Sequence, residues 1–257
     1  MTSSRLAPAD PGEVGREGTA VATRTPERAT DSIARVREMM AIVRGDAKHA
    51  AAAQSTADAL WVLYDRVLRL SPDAGDERDR FYLSKGHGPM AYYAILAIKG
   101  LIDPAELYQF GAFHSMLGHH PDRIKVPGVD ISSGSLGHGL PLAVGSAVGL
   151  RALGQLGRVW VLMGDGELDE GSNAEAIAYA GRARLEALHV VLIDNHSATQ
   201  GWPGGMEERF RVEGWSCARV DGRDHQALED AYREEHRGQP RVVVADVGAA
   251  SSREARP

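Results

Sequence analysis

Two short apolar runs with a helical segment between them constrain this chain more than any other feature. Arg158–Met163 and His189–Asp194 are aliphatic, β-rich and short enough to be strands, while Ser172–Arg184 carries Ala and Ile at helical spacing. Strand, loop, helix, strand is a βαβ unit, whose crossover brings both strand ends to the same edge of a parallel sheet. Gly164-Asp165-Gly166 follows the first run directly, and Asp194-Asn195 closes the second. Asp165 and Asn195, distant in sequence, can therefore meet in one crevice. A carboxylate and an amide oxygen suit Mg2+ or Ca2+ when phosphate oxygens complete the shell, and the glycines beside Asp165 let backbone approach phosphate. The pattern predicts a diphosphate held through a divalent metal.

That spacing resembles the thiamine diphosphate signature, and the resemblance extends well beyond it. LSKGHG (Leu83–Gly88), GHHPD (Gly118–Asp122), PGVDISSGSLGHG (Pro127–Gly139), GDGELDEG (Gly164–Gly171) and VDGRD (Val220–Asp224) resemble the N-terminal section of transketolases in order and spacing. The similarity runs roughly from Ser32 to Val247. It implies an α/β fold with a parallel sheet flanked by helices on both faces, and thiamine diphosphate with Mg2+ or Ca2+ as cofactors. By the same resemblance Asp165, the Asn195 side chain and the Ser197 backbone oxygen are metal ligands, and Gly164, Gly166 and Glu167 accompany the diphosphate. Gly134 and Leu136 fall where the family touches the aminopyrimidine, with His138 in place of the usual Gln. Glu170 and Glu175 match glutamates that link two active sites across a dimer interface; read without the family, they are a solvated acidic face.

Three histidines are candidates for substrate chemistry. His87 stands between Gly86 and Gly88, after Lys85 and just before the helical run Met90–Ile98, so unpaired helix N–H groups nearby favour an anion; the family uses this histidine near cofactor and donor sugar. His120 aligns with a histidine that binds donor-sugar hydroxyls. His49 aligns with a substrate-facing histidine, and an imidazole can exchange protons with a sugar hydroxyl at neutral pH. Its family Gly-Pro-Gly loop has become alanines in RGDAKHAAAAQS, which favour helix over a tight turn. The cluster His114, His119 and His120 lacks companion Cys or acidic residues at zinc spacing.

The chain has 257 residues, 43% of them hydrophobic, enough for one substantial core. We expect one domain over residues 31–257 behind a disordered tail, residues 1–30, poor in large aliphatics and rich in Pro, Gly, Thr and charge. Order is expected near Asp31 or Ser32, where Ile33, Val36, Met40 and Val43 share a helix face, followed by a helix carrying Leu60, Leu63 and Val67. A net charge of −6, with 29 Lys and Arg scattered among 35 Asp and Glu, offers no basic stripe for nucleic acid. No signal-peptide core or membrane span is legible, which predicts a cytoplasmic protein. The single cysteine, Cys217, lies in a predicted strand, Trp215–Asp221, and reads as a buried core thiol.

A complete transketolase carries two further domains, one of which supplies the glutamate that protonates the aminopyrimidine. The resemblance therefore implies that this chain works with a separate C-terminal subunit, in an α2β2 assembly. The implied reaction transfers a two-carbon ketol unit from a ketose or ketose phosphate donor to an aldehyde acceptor through the cofactor's C2 carbanion. The altered His49 loop, a short segment after Asn195 and the C-terminal RVVVADVGAASSREARP suggest a specialised biosynthetic substrate. Two other readings stand beside it: a subunit of a 2-oxoacid dehydrogenase or deoxyxylulose-phosphate synthase, and a non-catalytic regulatory homologue.

Overall fold

The computed structural model describes residues 29–45, 49–198 and 200–248. Five strands, β1 (Arg80–Leu83), β2 (Val159–Gly164), β3 (Leu188–Asp194), β4 (Ser216–Asp221) and β5 (Arg241–Asp246), form one sheet in the order β1-β2-β3-β5-β4. Every pairing is parallel. β2 and β3 are buried along their whole length, as strands covered on both faces must be. Their side chains alternate between two cores. Trp160, Leu162, Val191 and Ile193 join helices α1 (Ala29–Ile42), α2 (Ala50–Val62), α3 (Met90–Ile98) and α7 (His225–Arg233) on one face. Val159, Val161, Met163, Val190 and Leu192 join α4 (Gly139–Leu153), α5 (Gly171–Arg182) and α6 (Met206–Arg211) on the other. The expected sheet with helices on both faces is the observed one.

Element boundaries follow the local chemistry. α3 is apolar all round, MAYYAILAI, and buried from Met90 to Ala97, so it runs through the core rather than over it. The alanines after His49 do form helix: α2 starts at Ala50 with His49 at its N-cap position. α2 then widens into a π-helical turn, Leu63–Val67, closed by Leu68 N–H donating to the Leu63 carbonyl at 2.9 Å. α1 begins at Ala29, ahead of the expected start. The tail predicted over residues 1–30 otherwise lies outside the described residues.

Cys217 departs from its expectation. It sits on the edge strand β4 and is half-buried rather than enclosed, because no strand among the described residues pairs with the outer side of β4. Burial still pushes its thiol up to about 11, where little nucleophilic thiolate exists near neutrality.

At the opposite end of the strands a carboxylate clamps the sheet. Asp79, fully buried, accepts from the Arg158 main chain at 2.9 Å and its Nη2 at 2.7 Å, and from the Arg69 main chain and Nη2, both at 3.0 Å. No helix among the described residues is long and apolar enough to cross a membrane.

Candidate active site at the carboxyl edge of the sheet

The carboxyl ends of β1, β2, β3 and β5 lie side by side, and most of the candidate residues follow from that. Ser84 to His87 leave β1, Gly164 to Glu167 leave β2, and Asn195 to Ser197 leave β3. The register sets Gly164 beside Ile193 and Asp194 beside Asp246. Crevices at this edge are where open α/β sheets bind ligands.

Asp165, buried, is held by four donors. Oδ1 accepts from the Gly166 N–H at 2.9 Å and the Ser197 hydroxyl at 2.6 Å; Oδ2 accepts from the Ser197 N–H at 2.6 Å and the Ala198 N–H at 3.0 Å. Ser197 thus meets Asp165 through its donors. The preceding residue, His196, has φ of +58°, a strained value for a non-glycine residue. Asn195 presents the opposite situation: its side-chain oxygen is buried and has no hydrogen-bond partner. Asn195 lines a hollow of about 530 Å3 with Gln54 and Ser55 of α2, whereas Asp165 lines a separate cavity of about 270 Å3 with Trp202 and Arg219.

Glu167 ties three segments together. Its carboxylate accepts from the Ser84 hydroxyl at 2.7 Å, the Gly137 N–H at 3.2 Å and the Gly164 N–H at 3.0 Å. Burial raises its pKa, partly offset by those hydrogen bonds. Gly164's amide is therefore occupied by Glu167, which gives Glu167 an organising role that the motif alone does not show. Lys85 is the neighbouring cation. It is 5% exposed, its Nζ donates to Ser55 Oγ at 3.2 Å, and burial lowers its pKa against the pull of Asp165 and Glu167. In the sequence it reads only as a supporting charge; the approach of a buried ammonium to two buried carboxylates is hidden there because Ser55 and the Asp165–Glu167 turn lie far from Lys85 in the chain.

The loops carrying the other candidates pack on this centre. The His49 and His87 rings meet edge to face, centroids 5.7 Å apart. Gly134 lies against His120: a Cβ there would stand 2.7 Å from the imidazole, so this close approach requires glycine. Leu136 is half-buried, and its carbonyl contacts His138 Nδ1 at 3.3 Å. His120 is exposed, as is His114, while His119 sets its ring against Phe110 at 5.1 Å. Glu170 stands at the N-cap position of α5, without a side-chain capping hydrogen bond, rather than within the helix, and Glu175 follows one turn on; both are exposed. His49, His87, Gly134, Asp165, Glu167 and Asn195 thus gather at one edge, with Glu175 standing outward on α5.

Residues 27–251 match the family model described as transketolase, thiamine diphosphate binding domain. The chain is 52% identical over 214 residues to a Rhodococcoides fascians protein named ferredoxin fas2, covering 82% of this chain and 70% of that one. The single cysteine of the present chain cannot furnish the four thiolates of an iron–sulfur cluster. It is 35% identical over 207 residues to a protein of Actinobacillus succinogenes named for one subunit of an apulose-4-phosphate transketolase, covering 77% of this chain and 75% of the relative. The solved transketolase of Leishmania mexicana superposes with a TM-score of 0.68 at 26% identity, covering 84% of this chain. The present chain spans 36% of that structure's length. With the sheet edge, the motif order and these similarities together, the chain belongs to the transketolase family and carries its thiamine diphosphate binding domain.

Proposed function

We propose that this chain is the diphosphate-binding subunit of a two-component transketolase. Mg2+ is held by Asp165 and the Asn195 side chain, with the Ser197 carbonyl as third protein ligand. The observation that carries this reading is the buried, unpartnered oxygen of Asn195 one strand away from the Asp165 carboxylate: a buried acceptor without a donor is costly, and a cation removes the cost. The oxygen-only donor set suits a hard divalent ion. Ca2+ would fit the same ligands.

Thiamine diphosphate, when bound, supplies the carbanion that accepts and releases the two-carbon unit of a ketose. The residues of this chain do the rest at their own atoms. Lys85 and the Gly166 turn receive diphosphate charge, and Glu167 holds Ser84, Gly137 and Gly164 in register around it. Gly134 and Leu136 border the aminopyrimidine. His49, His87 and His120 face the sugar, where imidazoles exchange protons with hydroxyls. Glu170 and Glu175, exposed on and beside α5, face a neighbouring chain of the assembly.

A separate partner chain carries the remaining parts of the active site, in an α2β2 assembly. The Actinobacillus relative, which this chain covers over 75% of its length, is itself named as one subunit of a transketolase, and that supports the division. The donor is a ketose or ketose phosphate and the acceptor an aldehyde, within a specialised pathway suited to the altered His49 loop, and the assembly works in the cytoplasm.

Calorimetric titration of thiamine diphosphate with Mg2+ into this chain, its candidate partner and their mixture tests the division. Tight binding confined to the mixture supports a shared site. Tight binding to this chain alone, or to none of the three samples, sinks the two-component reading.

A further inference from the structure

A cavity of about 640 Å3 lies at the amino edge of the sheet, away from the candidate active site. Its size falls within the about 300–1,000 Å3 usual for small-molecule sites. It is walled by the loops that precede β2, β3 and β5 and by the ends of α4 and α7. Among its lining residues is His189, 4% exposed, whose Nδ1 is buried without a hydrogen-bond partner among the described residues. The ring is fixed on both sides, stacked on Trp160 at 4.2 Å and met edge-on by His236 at 4.7 Å. Native proteins rarely leave such an atom unmatched, and an exception calls for a water, an ion or a ligand.

The rim is cationic. Five arginines and three glutamates line it. Arg158, Arg233 and Arg237 are paired with carboxylates. Arg151 and Arg184 are not: among the described residues each donates only to a main-chain carbonyl, that of Ala183 at 2.7 Å and of Gly238 at 3.0 Å. Arg184 also occupies an unusual backbone position. α5 ends in a Schellman motif, with the Arg184 N–H bonded to the Gly181 carbonyl at 3.0 Å and the Leu185 N–H to that of Ala180 at 3.1 Å. The left-handed residue of this motif is usually glycine, yet here it is an arginine with φ of +51°. A strained residue that brings a charge to a cavity rim is a mark of function.

We propose that this basin is a second ligand site, for a small metabolite bearing a multiply charged oxyanion, with Arg151 and Arg184 supplying countercharge and His189 Nδ1 the innermost hydrogen bond. Guanidinium groups match phosphate and carboxylate equally well in shape, so both are in the class. Burial, with His236 and the cations Arg158 and Arg241 nearby, lowers the His189 pKa well below its ordinary value. The ring is neutral at pH 7 and offers one N–H and one lone pair.

The test is a titration of the full-length chain, with its histidine rings 15N-labelled, first with inorganic phosphate and then with citrate at constant ionic strength. The His189 resonances shift saturably, and the anion that saturates them at lower concentration distinguishes a phosphate from a carboxylate ligand. In the Arg151→Gln/Arg184→Gly variant the midpoint rises by about tenfold or more, as expected for lost charge-assisted hydrogen bonds. Glycine suits the left-handed position, so this variant folds, which circular dichroism verifies. The proposal is overturned if neither anion shifts His189 saturably, if the shifts are confined to His87 at the other edge, or if the variant binds as well as the parent.

Discussion

The Asp165 carboxylate accepts both donors of Ser197, its amide and its hydroxyl, each at 2.6 Å. With Gly166 and Ala198 also donating, the roughly four lone-pair directions of a carboxylate are all in use. A metal drawing on Asp165 must therefore displace at least one donor, and the residues that yield are those around His196, already strained. Ser197→Ala is expected to cost about 1 kcal/mol of stability for the lost hydrogen bond while leaving Mg2+-dependent cofactor binding intact or tighter. Asp165→Ala abolishes that binding. Parallel chemical denaturation and calorimetry check both, and weaker metal binding by Ser197→Ala would mean that its hydroxyl assists the ion rather than competing with it.

Lys85 is a buried ammonium set against two buried carboxylates, with Ser55 Oγ its one hydrogen-bond partner among the described residues. An NH3+ group has three donors, which leaves capacity for diphosphate oxygens. Lys85→Met keeps the stem and removes the charge. We expect cofactor affinity in the assembled enzyme to fall about 30- to 150-fold, the loss of about 2–3 kcal/mol for a charged hydrogen bond. An unchanged dissociation constant would return Lys85 to a purely structural role.

Gly88 joins the His87 loop to the His49 loop. Its φ is +76°, and a Cβ there would stand 2.9 Å from the His49 carbonyl oxygen and 3.3 Å from the Ala52 side chain. Gly88→Ala therefore combines backbone strain with a backbone clash, which we expect to cost about 1–3 kcal/mol and to separate the His49 and His87 rings. A shift in the melting temperature together with altered His49 ring resonances checks it; a silent substitution would show that the two loops are not coupled.

The βαβ unit is legible because strands buried on both faces read as uninterrupted apolar runs: Arg158–Met163 corresponds to Val159–Gly164 in the fold, and His189–Asp194 to Leu188–Asp194. The alanines after His49 likewise disclose a helix through local propensity alone. Motif order locates Asp165 and Asn195 at neighbouring strand ends. What escapes the sequence is decided by contacts between distant segments. Asp79 meets Arg158 across 79 positions and Lys85 meets Ser55 across 30, and no periodicity encodes either pairing. Cys217 reads as core for the same reason, since a short strand pattern does not disclose that it will lie at the sheet edge.

Asp79 makes stability depend on pH in a defined window. Burial alone would raise its pKa, but hydrogen bonds from Arg158 and Arg69 outweigh that and hold it below its ordinary value. A carboxyl with a depressed folded-state pKa contributes stability above its unfolded value, about 3.9, and loses that contribution as pH falls through the folded value. Asp79→Asn removes the charge while nearly keeping the shape, leaving two guanidinium groups, part-exposed at 37% and 26%, without their carboxylate. Because water still reaches those groups, we expect a loss of about 2–3 kcal/mol at pH 7, below the about 3–5 kcal/mol for a wholly buried pair. Urea unfolding of parent and variant, compared between pH 7 and pH 3, should show a gap that is constant down to about pH 5 and closes below about pH 4. A gap that stays constant through the acid range would mean that the clamp acts by shape and hydrogen bonding, with no contribution from the ionised carboxylate.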